Sequence, residues 1–208
     1  MSLAALALFG VYLGVGFVLR TWLQWRRTGD SGFRGISGRA FSPEWLAGVA
    51  FVVALVAGVL GPVTALVGLD PISWLHTPPV QAAGLALAVI GIVGTLMTQL
   101  DMGASWRIGV DAGERTALVT TGAFARVRNP IFTAMATTGA GLALMTPNLV
   151  ALSGFATLFV ALELQVRVVE EPYLRATHGT PYADYAAHAG RFIPGIGRLR
   201  LAEATTAG

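Results

Sequence analysis

Residues 131–169 read IFTAMATTGAGLALMTPNLVALSGFATLFVALELQVRVV. The stretch is apolar almost throughout, yet nearly twice as long as a single helix needs to cross a hydrocarbon core of about 30 Å. Its middle, Thr146-Pro147-Asn148, is a turn signal, since Pro interrupts a helix and Asn tolerates turn geometry. The pattern predicts a helical hairpin, with one arm over about 131–145 and the return over about 148–169. The first arm is short for a full crossing, so tilt or shelter beside neighbouring helices is expected of it.

Three more apolar stretches precede the hairpin. Residues 3–19 (LAALALFGVYLGVGFVL) carry no charge and just suffice for a span. The segment lacks a basic leading region and a clear small-x-small cleavage site, which favours a mature span over a signal peptide. A polar loop over 20–43 ends in Ser42-Pro43-Glu44, which reads as N-cap, first helical position and an acid in the first turn. The second span runs from about Trp45 to Leu69, with a kink expected at Pro62. The third covers about Val80 to Leu100 and is apolar except for Gln81, Thr95, Thr98 and Gln99. The sum is an all-α integral membrane protein of five transmembrane helices in one domain over 1–208. Composition agrees. Charged residues make up 12% of the chain and mean hydropathy is +0.66. A soluble domain carries about twice that charge fraction. The 26 glycines suit close helix approach in lipid.

All 14 basic residues are Arg. Five fall in loop 20–43, four in loop 101–130 and five in the tail from 167, while loops 70–79 and 146–148 hold none. The positive-inside rule then puts the N-terminus outside and the C-terminus in the cytoplasm of a multi-pass protein of the cell membrane. The same distribution argues against nucleic acid as the reason for a pI near 9.9. Absence of Cys excludes disulfides, thiolate nucleophiles and Cys-based metal sites. His76, His178 and His188 are too scattered to suggest a metal centre.

Two constellations carry chemistry. In the first, Arg126-Val127-Arg128-Asn129-Pro130 sits directly against an apolar span. Pro130 suits a first helical turn, Asn129 is placed to cap it, and Arg128 lies beside free backbone N–H groups, a place for an anion. The bland alternative is a capped helix with snorkelling arginines. In the second, Glu163, Arg167, Glu171 and Arg175 follow i,i+4 spacing, which permits a ladder of ion pairs. Glu163 lies inside the span, where an ionisable group is expensive and suggests function. Pro172 is expected to break or kink the helix after Glu170-Glu171. Gly179 reads as a C-cap and Thr180-Pro181 as a new helix start, carrying Tyr182 and Tyr185. Arg191-Phe192-Ile193-Pro194-Gly195 closes the ordered part, and the tail after Arg200 is expected to fray.

Taken in order, Gly122-x-Phe124, Arg128-Asn129-Pro130-Ile131-Phe132, Glu170-Glu171-Pro172-Tyr173-Leu174, Gly179-Thr180-Pro181-Tyr182 with Tyr185, and Arg191-Phe192-Ile193-Pro194 resemble the isoprenylcysteine carboxyl methyltransferase family, whose relatives include phospholipid N-methyltransferases. The likeness covers roughly residues 100–197. It implies a membrane-embedded methyltransferase domain with three leading spans over 1–100 and a cofactor-binding half over 101–200. It further implies S-adenosylmethionine as cofactor in a cytoplasmic-side pocket, and a lipophilic or lipid acceptor. Arg128, Asn129 and Pro130 would line one wall of that pocket, and Glu170, Glu171, Tyr182 and Arg191 the other. Arg128, with its fork of donors, is the choice for a cofactor carboxylate. Glu170 and Glu171 are the candidates for a base, with Glu170 expected to face the pocket and Glu171 the ladder. Asn129 stands where the family has His and cannot carry a proton near neutral pH. Phe132 replaces a Tyr. The alternative is an NADPH-dependent membrane reductase of the sterol-reductase type, which shares an Arg-His-Pro motif but lacks the Glu-Glu-x-x-Leu arrangement.

Overall fold

The computed structural model describes residues 1–106 and 117–199. Arg107 and Arg115 of the second arginine group, Arg200 and the tail expected to fray lie outside the described residues. Helix α1 is Ser2–Thr28, α2 Pro43–Leu66, α3 Pro78–Met102, α4 Pro130–Met145, α5 Leu149–His178 and α6 Thr180–His188. Among the described residues α1, α2, α3 and α5 are long and apolar enough to cross a bilayer. Helix α4, with 16 residues, spans only about 24 Å at 1.5 Å per residue. This all-α membrane architecture is the one the hydropathy pattern predicts. Among the described residues there is no sheet, only an isolated parallel bridge between Val127 and Gly190.

The bundle is built inside out relative to a soluble one. Large apolar side chains such as Val18, Ile90, Met97 and Leu149 point outward, where lipid is as apolar as they are. Buried positions on the spans are dominated by small residues, which let backbones approach. Along α3 the buried face reads Gly84, Ala88, Gly91, Thr95, and along α4 it reads Ala134, Thr138, Gly141, Met145. The spacing is four, three, four on both helices, and the two faces meet. A Cβ placed on Gly141 would lie 2.3 Å from the Ala88 backbone nitrogen. Short α4 is therefore carried by α3. The pair α2 and α5 meets in the same way, through Gly61 against Ala151 and Gly154 against Ala57.

Several boundaries differ from expectation, each for a local reason. Helix α1 continues nine residues into the segment read as loop, Arg20–Thr28, because Arg20 and Gln24 lie on one buried face of that extension. Pro62 is accommodated inside a continuous α2. Pro172 does not end α5. The helix widens into a π turn over Gln165–Glu170 just before it and runs on to His178. That wider turn takes up the proline ring, which in a regular α-helix would press on a preceding carbonyl. A second π turn occupies Gly14–Leu19 in α1. Ser42 caps α2 as read, its Oγ accepting from the Trp45 N–H at 3.3 Å.

The helix ends sort into two sets. At one end the Ile72 N–H donates to Pro147 O at 2.7 Å, joining the turn after α2 to the hairpin tip. At the other, Arg20 Nη2 donates to Gly103 O at 2.5 Å and the hairpin base meets the segment after α6. The described arginines lie at this second end, Asp70 and His76 at the first.

Candidate functional site

The two arms of the hairpin return to one place, and there the chain crosses itself three times. The Arg128 N–H donates to Gly190 O (2.7 Å), the Asn129 N–H to Arg191 O (3.1 Å) and the Gly190 N–H to Arg126 O (3.1 Å). Gly190 permits this approach, because a Cβ there would stand 2.0 Å from Ile193 O. Around these bonds lies an ionic knot. Glu171 Oε1 accepts from Arg128 Nη2 at 2.8 Å and from Arg191 Nε at 2.7 Å, while Oε2 accepts from Arg191 Nη2 at 3.1 Å. Only 2% of the Arg128 side chain and 7% of the Glu171 side chain are exposed, so these charges depend on one another. The hydrogen bonds to Glu171 hold the Arg191 guanidinium above its usual range, against the opposing effect of its partial burial.

Arg128 also donates through Nη1 to Ala186 O (3.0 Å) and Ala189 O (2.7 Å), and through Nη2 to Gly197 O (3.0 Å). Its terminal nitrogens are thus engaged by the end of α6 and by Glu171. The two terminal nitrogens that the sequence offered to a ligand are occupied by the protein itself, while the buried Nε has no hydrogen-bond partner. Glu171, read as a rung of the Glu163–Arg167–Arg175 ladder, leaves it for Arg128 and Arg191. The π turn is the physical reason, since it breaks the i,i+4 register between Arg167 and Glu171. Arg167 does pair with Glu163, Nε to Oε2 at 2.5 Å, an exposed contact of small worth. Asn129 does not cap α4 with its side chain. Its Nδ2 donates to Arg191 O at 3.0 Å, so the first-turn N–H groups of α4 lack a side-chain cap.

Above the knot lies a cavity of about 360 Å³. Of the residues singled out from sequence, Arg128, Asn129, Pro130, Glu170 and Tyr182 line it. Glu171 and Arg191 stand behind that wall and brace it. Tyr182 and Tyr185 meet edge to face, with centroids 6.3 Å apart, and the Tyr185 hydroxyl donates to Phe124 O at 2.7 Å. Burial pushes the Tyr182 phenol up to about 12, with the Glu171 charge adding to the effect. Burial alone is the main cause of a similar value, about 12, at Tyr185. Both phenols therefore stay neutral at cellular pH, as hydrogen-bond donors and packing surfaces.

The cavity is two-faced. Its base carries Glu170, Asn129 and the tyrosines, and its far end is walled by Phe17, Phe51, Leu55, Met135 and Leu162. Sequence reading missed two contributors. Loop residues Phe33, Gly35, Ile36 and Ser37 cover one side, and no motif marks them. Gln99 lines the cavity at 1% exposure, its Nε2 donating to Gly16 O at 2.9 Å and its Oε1 having no partner. A signal existed here, because an amide in an apolar span requires a reason. The carbonyl it reaches belongs to the π turn of α1.

No curated protein matches this sequence. Residues 80–180 match the family model described as phospholipid methyltransferase. That segment holds nearly all of α3, the hairpin with the Arg128 and Glu171 parts of the ionic knot, and the first residue of α6, and it is similar to the phospholipid methyltransferase family, which is related to the isoprenylcysteine carboxyl methyltransferases.

Proposed function

We propose that this protein transfers a methyl group from S-adenosylmethionine to a lipophilic acceptor, on the cytoplasmic side of the membrane. The observation that carries the reading is the two-faced cavity, polar at the hairpin base and apolar toward the bilayer interior. Its volume falls in the usual range for small-molecule sites, about 300–1,000 Å³. The donor set suits the cofactor. The first-turn N–H groups of α4 at Ile131 and Phe132 border the cavity without a side-chain cap and suit a carboxylate. Glu170 on the facing wall suits an ammonium or ribose hydroxyls. The tyrosines and Phe124 offer faces to an aromatic base. Arg128, Glu171 and Arg191 are positioning residues that hold the two walls together.

S-adenosylmethionine, when bound, supplies a methyl group already activated by a positive sulfur. What remains for the chain is to align the acceptor behind that carbon and exclude water. The apolar end does both for an acceptor with a hydrocarbon body. The methyl carbon–sulfur bond breaks as the bond to the acceptor atom forms. A carboxylate acceptor needs no base, whereas the proton of an amine or alcohol would pass to Glu170. Val52, half exposed on the outer surface of α2 and also part of the cavity wall, marks a way in from the lipid.

Calorimetric titration with S-adenosylhomocysteine tests the reading. Glu170→Gln keeps shape and removes charge, and should weaken binding about tenfold to a hundredfold, the loss of one charged hydrogen bond at about 1.5–3 kcal/mol. Unchanged affinity, or thermal stabilisation by NADP⁺ in place of S-adenosylhomocysteine, would overturn it. Sidedness has its own test, made simple by a chain without Cys. In intact cells an impermeant maleimide should label Asp70→Cys and spare Ala40→Cys. The reverse pattern would invert the topology and put the cavity base outside.

A further inference from the structure

Beyond the main cavity, along α2 and α4 toward the opposite membrane face, lies a second chamber of about 50 Å³. Phe51, Leu55 and Met135 line both spaces. They stand between them as a partition one side chain thick. The inner chamber is bounded by Phe9, Leu142, Phe155 and Leu158. Two of the hydroxyls on its wall are turned back onto their own helix, Thr138 Oγ1 to Ala134 O at 3.0 Å and Thr146 Oγ1 to Leu142 O at 3.3 Å. The two spaces follow one another along the helix axes. On α2 they run from Ala47 past Leu55 to Pro62, and on α4 from Pro130 past Met135 to Ala143, with Thr146 just beyond its end.

We propose that Phe51, Leu55 and Met135 form a length stop for the acceptor, fixing how long a single hydrocarbon chain can lie in the cavity with its reactive head at the Glu170 end. The inference rests on the proposed methyltransferase reading and adds its substrate class, a polar head on one flexible chain aligned with the helices. The geometry favours this occupant because the apolar end follows the helix axes, and of the side chains that wall it Phe51, Leu55 and Met135 also border the next chamber. Met135 is the decisive member. It is 7% exposed, unbranched, and able to change shape without moving backbone. Removing its side chain joins the chambers, and a ring at that position closes the main cavity sooner.

The test uses the full chain in lipid nanodiscs with saturating S-adenosylhomocysteine, titrated with n-alkylamines of graded length. Thermal stabilisation should rise with chain length and then level off. Met135→Ala should move the levelling point several carbons longer, Met135→Phe several carbons shorter. Leu55→Ala, on the other helix, should also lengthen it, which keeps the test decisive if a Met135 variant misfolds. An identical levelling point in wild type, Met135→Ala and Leu55→Ala would overturn the stop, even with S-adenosylhomocysteine bound normally. A shifted levelling point in protein with no affinity for S-adenosylhomocysteine would keep the stop and remove the methyl-transfer reading.

Discussion

Arg128→Ala is expected to destabilise the fold by about 3–5 kcal/mol, the usual effect of removing one partner from a buried ion pair. Glu171 would keep Arg191 on one side but lose its most buried cation. The carbonyls of Ala186, Ala189 and Gly197 would lose their donor together. The damage should be local first, with α6 and the segment to Leu199 released from the hairpin base. Cleavage after Ala186 by a protease should then appear before the spans unfold. Equilibrium unfolding in mixed micelles gives the total. Replacing both partners, as Arg128→Met with Glu171→Met, should cost less than the two single changes summed, because neither charge is left alone. A single-variant effect below about 1 kcal/mol, typical of an exposed pair, would show that the knot is open to water and holds nothing. Affinity for S-adenosylhomocysteine should fall in Arg128→Ala through this loosening, whereas in Glu170→Gln it should fall without any change in stability.

That contrast between two adjacent glutamates marks the limit of what sequence made legible. The spans were readable because lipid imposes a length and an apolarity on every crossing helix, and the arginine distribution sorted their ends. Glu170 could be placed toward the cavity because Glu171 belonged, by spacing, to another face. Which partners Glu171 would take was not readable. The ladder assumed a regular α-helix, and the π turn over Gln165–Glu170 changes the register by one residue. No local signal in Gln-Val-Arg-Val-Val-Glu announces that turn apart from Pro172 beyond it. The partners of Arg128 were hidden from the sequence for a related reason. Its donors are claimed by carbonyls about sixty to seventy positions away, and such claims follow from tertiary folding alone. Asn129, likewise, has the look of a cap and is used as a strut to Arg191 O. Gln99 is the opposite case, a buried amide whose unusual setting was visible in the sequence and whose partner, a π-turn carbonyl in α1, was not.

Gly141→Leu should produce the largest loss of stability among substitutions in the membrane interior. A Cβ at this position meets backbone on every side, 2.3 Å from Ala88 N, 2.6 Å from Gly84 O and 2.8 Å from Ala88 Cα, and backbone cannot rotate away. Even Gly141→Ala should exceed the usual overpacking cost of about 1–3 kcal/mol. Gly139→Ala, two residues earlier on the same helix, is the internal control. There the nearest atom to a new Cβ is Leu158 Cδ2 at 2.7 Å, the far end of a flexible side chain that can shift. Both changes gain the same helix propensity, about 1 kcal/mol for Gly to Ala, so their difference isolates the close approach of α3 and α4. Unfolding in mixed micelles should separate them by more than about 2 kcal/mol. The consequence should reach the site. Helix α3 brings Gln99 and Met102 to the cavity, and α4 brings Pro130, Ile131, Phe132 and Met135, with Asn129 just before it. Forcing the helices apart widens the cavity between Gln99 and the uncapped first turn of α4, so Gly141→Ala should also weaken S-adenosylhomocysteine binding while Gly139→Ala leaves it unchanged. Equal stability in the two variants would mean that the glycine seam carries no packing energy, and that short α4 is held in the membrane by its arginine-clamped base alone.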